Sequence, residues 1–309
     1  MKVDIIVLNY NGEKLLAEYL PSITLASKAS SFHCFVKVID NRSGDDSIGL
    51  IKSKFPEVEL IVAEDNRVFC SFNKAVKDSS ADVVILLNND LAVDINFVDP
   101  LVNVFKKYPD AFFAAPKSYS LDGKYEGGRA RIGLKFGMFW ASARFKGFED
   151  KINDEGYTFQ SGFGAFDRKK FLELNGYDDL YLPGIIEDAD LCYRAWKKGY
   201  KGYYQPKSVV KHMGQASFKK AFGSEKIMQL AHRNTFLFMW KNITDKRILL
   251  KHIIFIPPRL LYSLLAGKPE FFRGFLKAVP KLRQALKRRS DATKDPKMTD
   301  REIFRLLKV

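Results

Sequence analysis

Cysteine is scarce in this chain: Cys34, Cys70 and Cys192 are widely spaced, odd in number and in no CxxC arrangement. That excludes a disulfide framework or zinc site and predicts a reducing compartment. The chain opens Met-Lys-Val-Asp and runs straight into apolar residues, without the charged and apolar regions of a secretory leader, so a cytoplasmic location is expected. An uncharged apolar run of membrane-spanning length is also lacking. The best stretch, from Ile248, is interrupted by Lys251, Pro257-Pro258 and Arg259. No GxGxxG follows the first apolar run, where the chain reads Asn9-Tyr10-Asn11-Gly12-Glu13, which argues against a dinucleotide-binding dehydrogenase. Internal repeats and low-complexity segments are absent as well.

What is present is an ordinary globular composition, 46% hydrophobic and 28% charged, with an unusual net charge of +15. The charge is unevenly placed. Residues 241–309 carry 18 basic and 6 acidic side chains, leaving 33 against 30 in residues 1–240. The division predicts a body over 1–240 and a basic amphipathic helical region over 241–309. Within the body, short apolar runs at 3–8, 35–39, 58–62 and 83–87 alternate with helical patterns beginning near Leu15, Asp46 and Ser71. That rhythm predicts βαβ units and an α/β fold with a mainly parallel central sheet flanked by helices. Ligands of such sheets bind beyond the carboxyl ends of the strands. Polar clusters stand there at 9–11, 40–43 and 88–90. The Gly-, Arg- and aromatic-rich stretch 123–156 reads as a long irregular active-site loop. Helices are expected at 169–174 and 187–198, and a flexible joint at 290–296.

Five segments in register over residues 1–240 resemble the family 2 glycosyltransferases, in particular bacterial rhamnosyltransferase-like members that build cell-surface polysaccharide. They are Ile6-Val7-Leu8-Asn9-Tyr10-Asn11-Gly12; Val38-Ile39-Asp40-Asn41-Arg42-Ser43 with Asp46 and Ser47; Leu86-Leu87-Asn88-Asn89-Asp90; Ile186-Glu187-Asp188-Ala189-Asp190-Leu191-Cys192-Tyr193-Arg194; and Val210-Lys211-His212. The resemblance implies a GT-A fold and an inverting displacement. It also implies a UDP- or dTDP-linked sugar donor with a divalent cation, Mn²⁺ or Mg²⁺, on its diphosphate. Asn9, Tyr10, Asn11, Asp40, Asp46, Asn66, Asn73 and Asn88 then fall on the nucleotide, with Asp40 on the base. Asp90 and His212 fall on the metal, an imidazole favouring Mn²⁺. Asp188, with Glu187 as understudy, is the general base. Gly162, Trp140 and Arg194 are the sugar or acceptor contacts, and Arg129 and Arg131 lie in the same irregular region.

Each assignment has a plainer counterpart. Asp40 and Ser43 suit an Asx turn; Glu187 and Asp188 suit a helix N-terminus, with Asp190 and Arg194 an i,i+4 pair; a lone histidine is often structural. The sequence also departs from the family's pattern twice. Asn88 replaces the first acid of the DxD motif, and Asn66-Arg67-Val68-Phe69-Cys70-Ser71-Phe72-Asn73 has no glycine where relatives are glycine-rich. A non-catalytic nucleotide- or glycan-binding relative is therefore the main alternative.

The basic region interleaves apolar clusters with Lys and Arg, as a helix lying among lipid headgroups does. The expected partners are thus a glycan or lipid-linked acceptor and an anionic membrane surface at the inner face of the cell membrane. Helices packed on the body with solvated charges are the alternative. Nucleic acid is not expected, because the body is nearly neutral and carries no recognisable binding module.

Overall fold

The computed structural model describes residues 1–308 apart from Gln215 and Thr293, and only the backbone of 216–221 and 290–292. The first half alternates strand and helix: β1 (Lys2–Asn9), α1 (Glu13–Ala29), β2 (His33–Asp40), α2 (Ser47–Lys54), β3 (Glu59–Val62), α3 (Ser71–Asp78) and β4 (Val83–Asn88). Then come β5 (Leu91–Val93), α4 (Val98–Lys107), β6 (Ala111–Ser120), β7 (Tyr125–Gly127), β8 (Arg131–Lys135), β9 (Met138–Ser142), β10 (Gly156–Tyr157) and β11 (Gly164–Asp167). The remainder is α5 (Arg168–Glu173), α6 (Glu187–Lys197), β12 (Lys201–His212), α7 (Ala216–Asn242), α8 (Lys246–Leu265), α9 (Glu270–Ala278), α10 (Leu282–Ala292) and α11 (Asp300–Leu307).

The main sheet runs β10-β12-β6-β11-β4-β1-β2-β3. β1, β2, β3 and β4 pair in parallel, as do β6 and β12, while β11 is antiparallel between β4 and β6. This is the expected α/β architecture, mostly parallel and flanked by helices. Continuous apolar runs make the central strands because both faces are covered: Val3, Ile5, Ile6, Val7 and Val83 to Leu87 are all buried. Two hydrophobic clusters fill these faces.

The stretch 123–156 is more ordered than expected. Arg131 pairs with Ser142 and Lys135 with Met138 in a two-stranded hairpin, turned by Phe136 and Gly137, both at positive φ. A third cluster lies under that hairpin. It joins Phe159, Tyr193 and Trp196 to Phe236, Phe238, Ile243, Ile303 and Leu307, so the C-terminal helices share a core with α6. Thr299 and Glu302 form a capping box at the start of α11. The expected joint at 290–296 lies partly outside the described residues.

α8 continues through Pro257 and Pro258 for 20 residues. By length and composition alone it is long and apolar enough to cross a membrane, although the sequence had suggested otherwise.

Candidate active site

A cavity of about 1980 Å³ opens at the carboxyl ends of β1 and β4. One wall is built from asparagines. Asn9 ends β1 fully buried; its Nδ2 donates to Asp40 Oδ2 at 2.8 Å, and its Oδ1 accepts Asn89 Nδ2 at 2.7 Å. Gly12 follows because a Cβ there would run into the Asn9 and Asn89 amides. Asn9, Tyr10, Asn66, Asn88, Asn89 and Asp90 line this wall.

Asp40 itself does not. It is buried beneath the cavity, where Oδ1 accepts the Ser43 amide at 2.8 Å and Oδ2 accepts Ser43 Oγ at 2.6 Å and Asn9. The expected base contact is thus an Asx-type turn that props Asn9. Its neighbour Asn41, passed over in the sequence, lines the cavity instead. Asn41 Nδ2 donates to Asn66 Oδ1 at 3.1 Å, while its own Oδ1 is buried without a partner. Asn11 orders the Gly44 amide at 2.7 Å, and Asp46 is exposed at the start of α2. Asn73 is also displaced from its expected role. Both ends of its amide bond the Tyr177 main chain at 2.8 Å.

Asp90 and His212 come together although 122 positions separate them. β12 pairs His212 with Leu91, setting His212 Nε2 3.3 Å from Asp90 Oδ2. His212 Nδ1 lies 3.1 Å from Glu126 Oε2 on β7. Burial pulls the His212 pKa down, but Asp90 and Glu126 outweigh it and hold it above the ordinary value. Among the described residues no group of three or more His, Cys, Asp or Glu is arranged to hold an ion alone. The pair nevertheless suits a hard divalent cation completed by phosphate oxygens. Asp90 Oδ1 is buried without a partner, and Glu126 is placed to fix the imidazole from behind, as outer carboxylates do at metal-bound histidines. Glu126 was invisible in the sequence because β7 is only three residues long.

Across the cavity, α6 presents Glu187 and Asp188 at its first turn. Burial and then the Asp188 charge push Glu187 up to about 8, and its Oε2 has no partner. Burial also raises Asp188. Asp188 Oδ1 accepts the Ala189 amide at 2.8 Å and Oδ2 accepts Gln160 Nε2 at 3.3 Å. Gly162 and Trp140 line the same space.

Arg194, expected on the sugar, is buried in the fold instead. Its Nε donates to Asp190 at 2.8 Å and its other nitrogens to the Leu174 and Gly176 carbonyls. Arg129 donates to the Asp154 carbonyl at 3.2 Å, and Arg131 stacks on Phe145; neither lines the cavity. Phe136, Met228, Phe255, Pro258, Tyr262 and Phe271 form an apolar part of the lining, with Arg259 over the Phe271 ring at 4.5 Å.

Among solved structures, the chain is similar to GalNAc-T7 with UDP, GalNAc and Mn²⁺, with TM-score 0.63, 17% identity and 92% of this chain covered against 57% of that one. It is similar to the mannosyltransferase PcManGT from Pyrobaculum calidifontis with GDP-Man and Mn²⁺, with TM-score 0.52, 16% identity, and 94% against 75% covered. A third is S. aureus TarS, with TM-score 0.57, 15% identity, and 95% against 50% covered. The chain therefore spans only about half the length of two of these proteins. Comparison with curated proteins gave no match. The sequence model described as glycosyl transferase family 2 matches residues 4–174, which carry the sheet apart from β12, the asparagine wall and Asp90, and the chain belongs to that family.

Proposed function

We propose that the protein is an inverting, divalent-cation-dependent glycosyltransferase. It moves a hexosyl or rhamnosyl unit from a UDP- or dTDP-linked donor to a hydroxyl of a glycan or lipid-linked acceptor in surface-polysaccharide synthesis. The observation that carries this reading is the placement of Asp90 with His212 and of Asp188 with Glu187 around one cavity. Two of the similar structures hold a nucleotide or nucleotide sugar together with Mn²⁺, which supports the donor and cation classes.

In this reading the asparagine wall receives the nucleoside. Asp90 and His212 would hold the cation, with Glu126 orienting the imidazole. The cation supplies charge neutralisation for the departing diphosphate. Asp188 takes the acceptor hydroxyl's proton as its oxygen bonds the anomeric carbon. The bond from that carbon to the diphosphate oxygen breaks, and the diphosphate keeps the electron pair. Burial raises the pKa of both Glu187 and Asp188, which makes Asp188 a stronger base. Gln160, Gly162 and Trp140 flank the point of transfer.

The basic region serves to hold the apolar part of the cavity at an anionic membrane surface on the cytoplasmic side. Leu250, Ile253, Ile254, Leu261, Tyr262 and Leu265 of α8 are exposed, a pattern suited to the headgroup boundary. A thermal-shift screen of UDP- and dTDP-sugars with and without Mn²⁺ or Mg²⁺ tests the proposal. A donor bound only by the folded state raises the melting temperature, and the rise should require the cation. Cation-independent shifts, or none, would count against the proposal.

A further inference from the structure

The turn that delivers Glu187 and Asp188 to the cavity is strained. Gly184, Ile185 and Ile186 all have positive φ, at 137°, 73° and 78°. For a β-branched residue the left-handed region is an outlier, and it persists only where the surroundings impose it. The imposing group is one side chain on α7. Asn234 has no exposed surface. Its Nδ2 points at three main-chain carbonyls of the turn: Tyr181 at 3.0 Å, Gly184 at 2.7 Å and Ile185 at 2.6 Å. Its Oδ1 accepts Arg233 Nε at 2.8 Å, so the amide is oriented with its donating end toward the turn. Arg233 Nη2 adds bonds to Tyr181 O at 3.1 Å and Leu182 O at 2.7 Å. Neither residue lines the cavity, whereas Pro183, Gly184, Ile185 and Ile186 do.

We propose that Asn234, oriented by Arg233, is a positioning residue. It holds the 181–186 turn in its strained form and thereby aims the first turn of α6 into the cavity. The inference rests on the reading of Asp188 as the base. A leucine would fill the same volume, so a packing role alone does not require an amide. The Gly184 and Ile185 carbonyls do, because Asn234 is the donor that meets them, while the Tyr181 carbonyl also accepts the Gly184 amide at 3.0 Å and Arg233 Nη2.

Full-length Asn234→Ala separates the roles. Amide hydrogen exchange of residues 182–190 should quicken at least about tenfold, with β4 unchanged. For donor hydrolysis, with UDP-glucose and Mn²⁺ as the probe, kcat should fall about 100-fold with KM within about threefold, the signature of misaligned catalytic groups. Asn242→Ala, which removes side-chain bonds from α7 to Asp190 and to the Tyr181 hydroxyl but none to the main chain of the turn, should keep kcat within about threefold of wild type. Unchanged exchange at 182–190 overturns the proposal, as does a kcat loss no greater than that of Asn242→Ala. If Asn234→Ala does not fold, Ile186→Gly keeps the amide and relaxes the turn. It should lower kcat about tenfold at an unchanged melting temperature, and unchanged kcat overturns the proposal. A wild type that neither binds nor hydrolyses any UDP- or dTDP-sugar with Mn²⁺ contradicts the glycosyltransfer reading, while the exchange arm still decides whether Asn234 holds the turn.

Discussion

Two adjacent carboxylates stand at 187 and 188, Glu187 buried and Asp188 half-buried, and their ionisation follows from that crowding. Glu187 is held up to about 8 from 4.5 by burial and by Asp188. The native protein therefore keeps a proton that the unfolded chain releases at lower pH. This contribution to stability is full below about pH 4.5 and is lost as the pH rises through about 8. Glu187→Gln removes it, so the melting temperature of the variant relative to wild type should climb between about pH 5 and about pH 9. A flat difference would show that Glu187 ionises freely. At this scale the sequence was informative about residue types and less so about their direction. That Asp90, Asp188 and His212 border one cavity was legible because polar side chains at strand and helix ends face the crevice of such a sheet. Asp40 and Arg194 misled because the same side chains also make Asx turns and i,i+4 pairs, and here they do. The glycine-free stretch shows another compromise. Val68 adopts a φ of 49°, the left-handed conformation that glycine takes without strain.

Among elements, α6 is the best anchored. Burial raises the Asp190 carboxyl, but Lys241 and Arg194 overcome it and hold Asp190 below the usual range, with Asn242 and Tyr181 completing its bonds. Burial in turn lowers Lys241 to about 8. Asp190→Asn would leave buried Arg194 without its carboxylate and Lys241 with Asp178 alone, and the loss of unfolding free energy in urea should be about 3–5 kcal/mol. A loss below about 1 kcal/mol would mean that the network is dispensable. The early βα units were readable because doubly buried parallel strands make unbroken apolar runs. The β8–β9 hairpin was not, since Gly133, Phe136 and Gly137 blur the alternation that marks a strand. The antiparallel insertion of β11 was also hidden, because four residues give no period to read.

For the whole molecule, the basic C-terminal region combines an internal face with an external one. Asp300 accepts from Tyr193 at 2.6 Å and pairs with Lys197 at 2.5 Å, joining the chain's end to α6. Meanwhile α8 leaves apolar side chains in the open. Replacing Ile253, Ile254 and Leu261 with aspartate should reduce co-sedimentation with phosphatidylglycerol-containing vesicles by about tenfold or more without lowering the melting temperature. Equal sedimentation would assign the exposed face to something other than lipid. Charge distribution was legible from the sequence alone, whereas which helix faces turn outward depends on packing that no local pattern records.

The central claim is that Asp90 and Asp188 act on one donor in one cavity. The most direct measurement takes cation-dependent donor binding and turnover from the same preparations of two variants. Asp90→Ala should lose binding and turnover together. Asp188→Asn should bind the donor as wild type does, while turnover falls by about 10²- to 10⁴-fold. Turnover at the wild-type level in either variant would contradict the account.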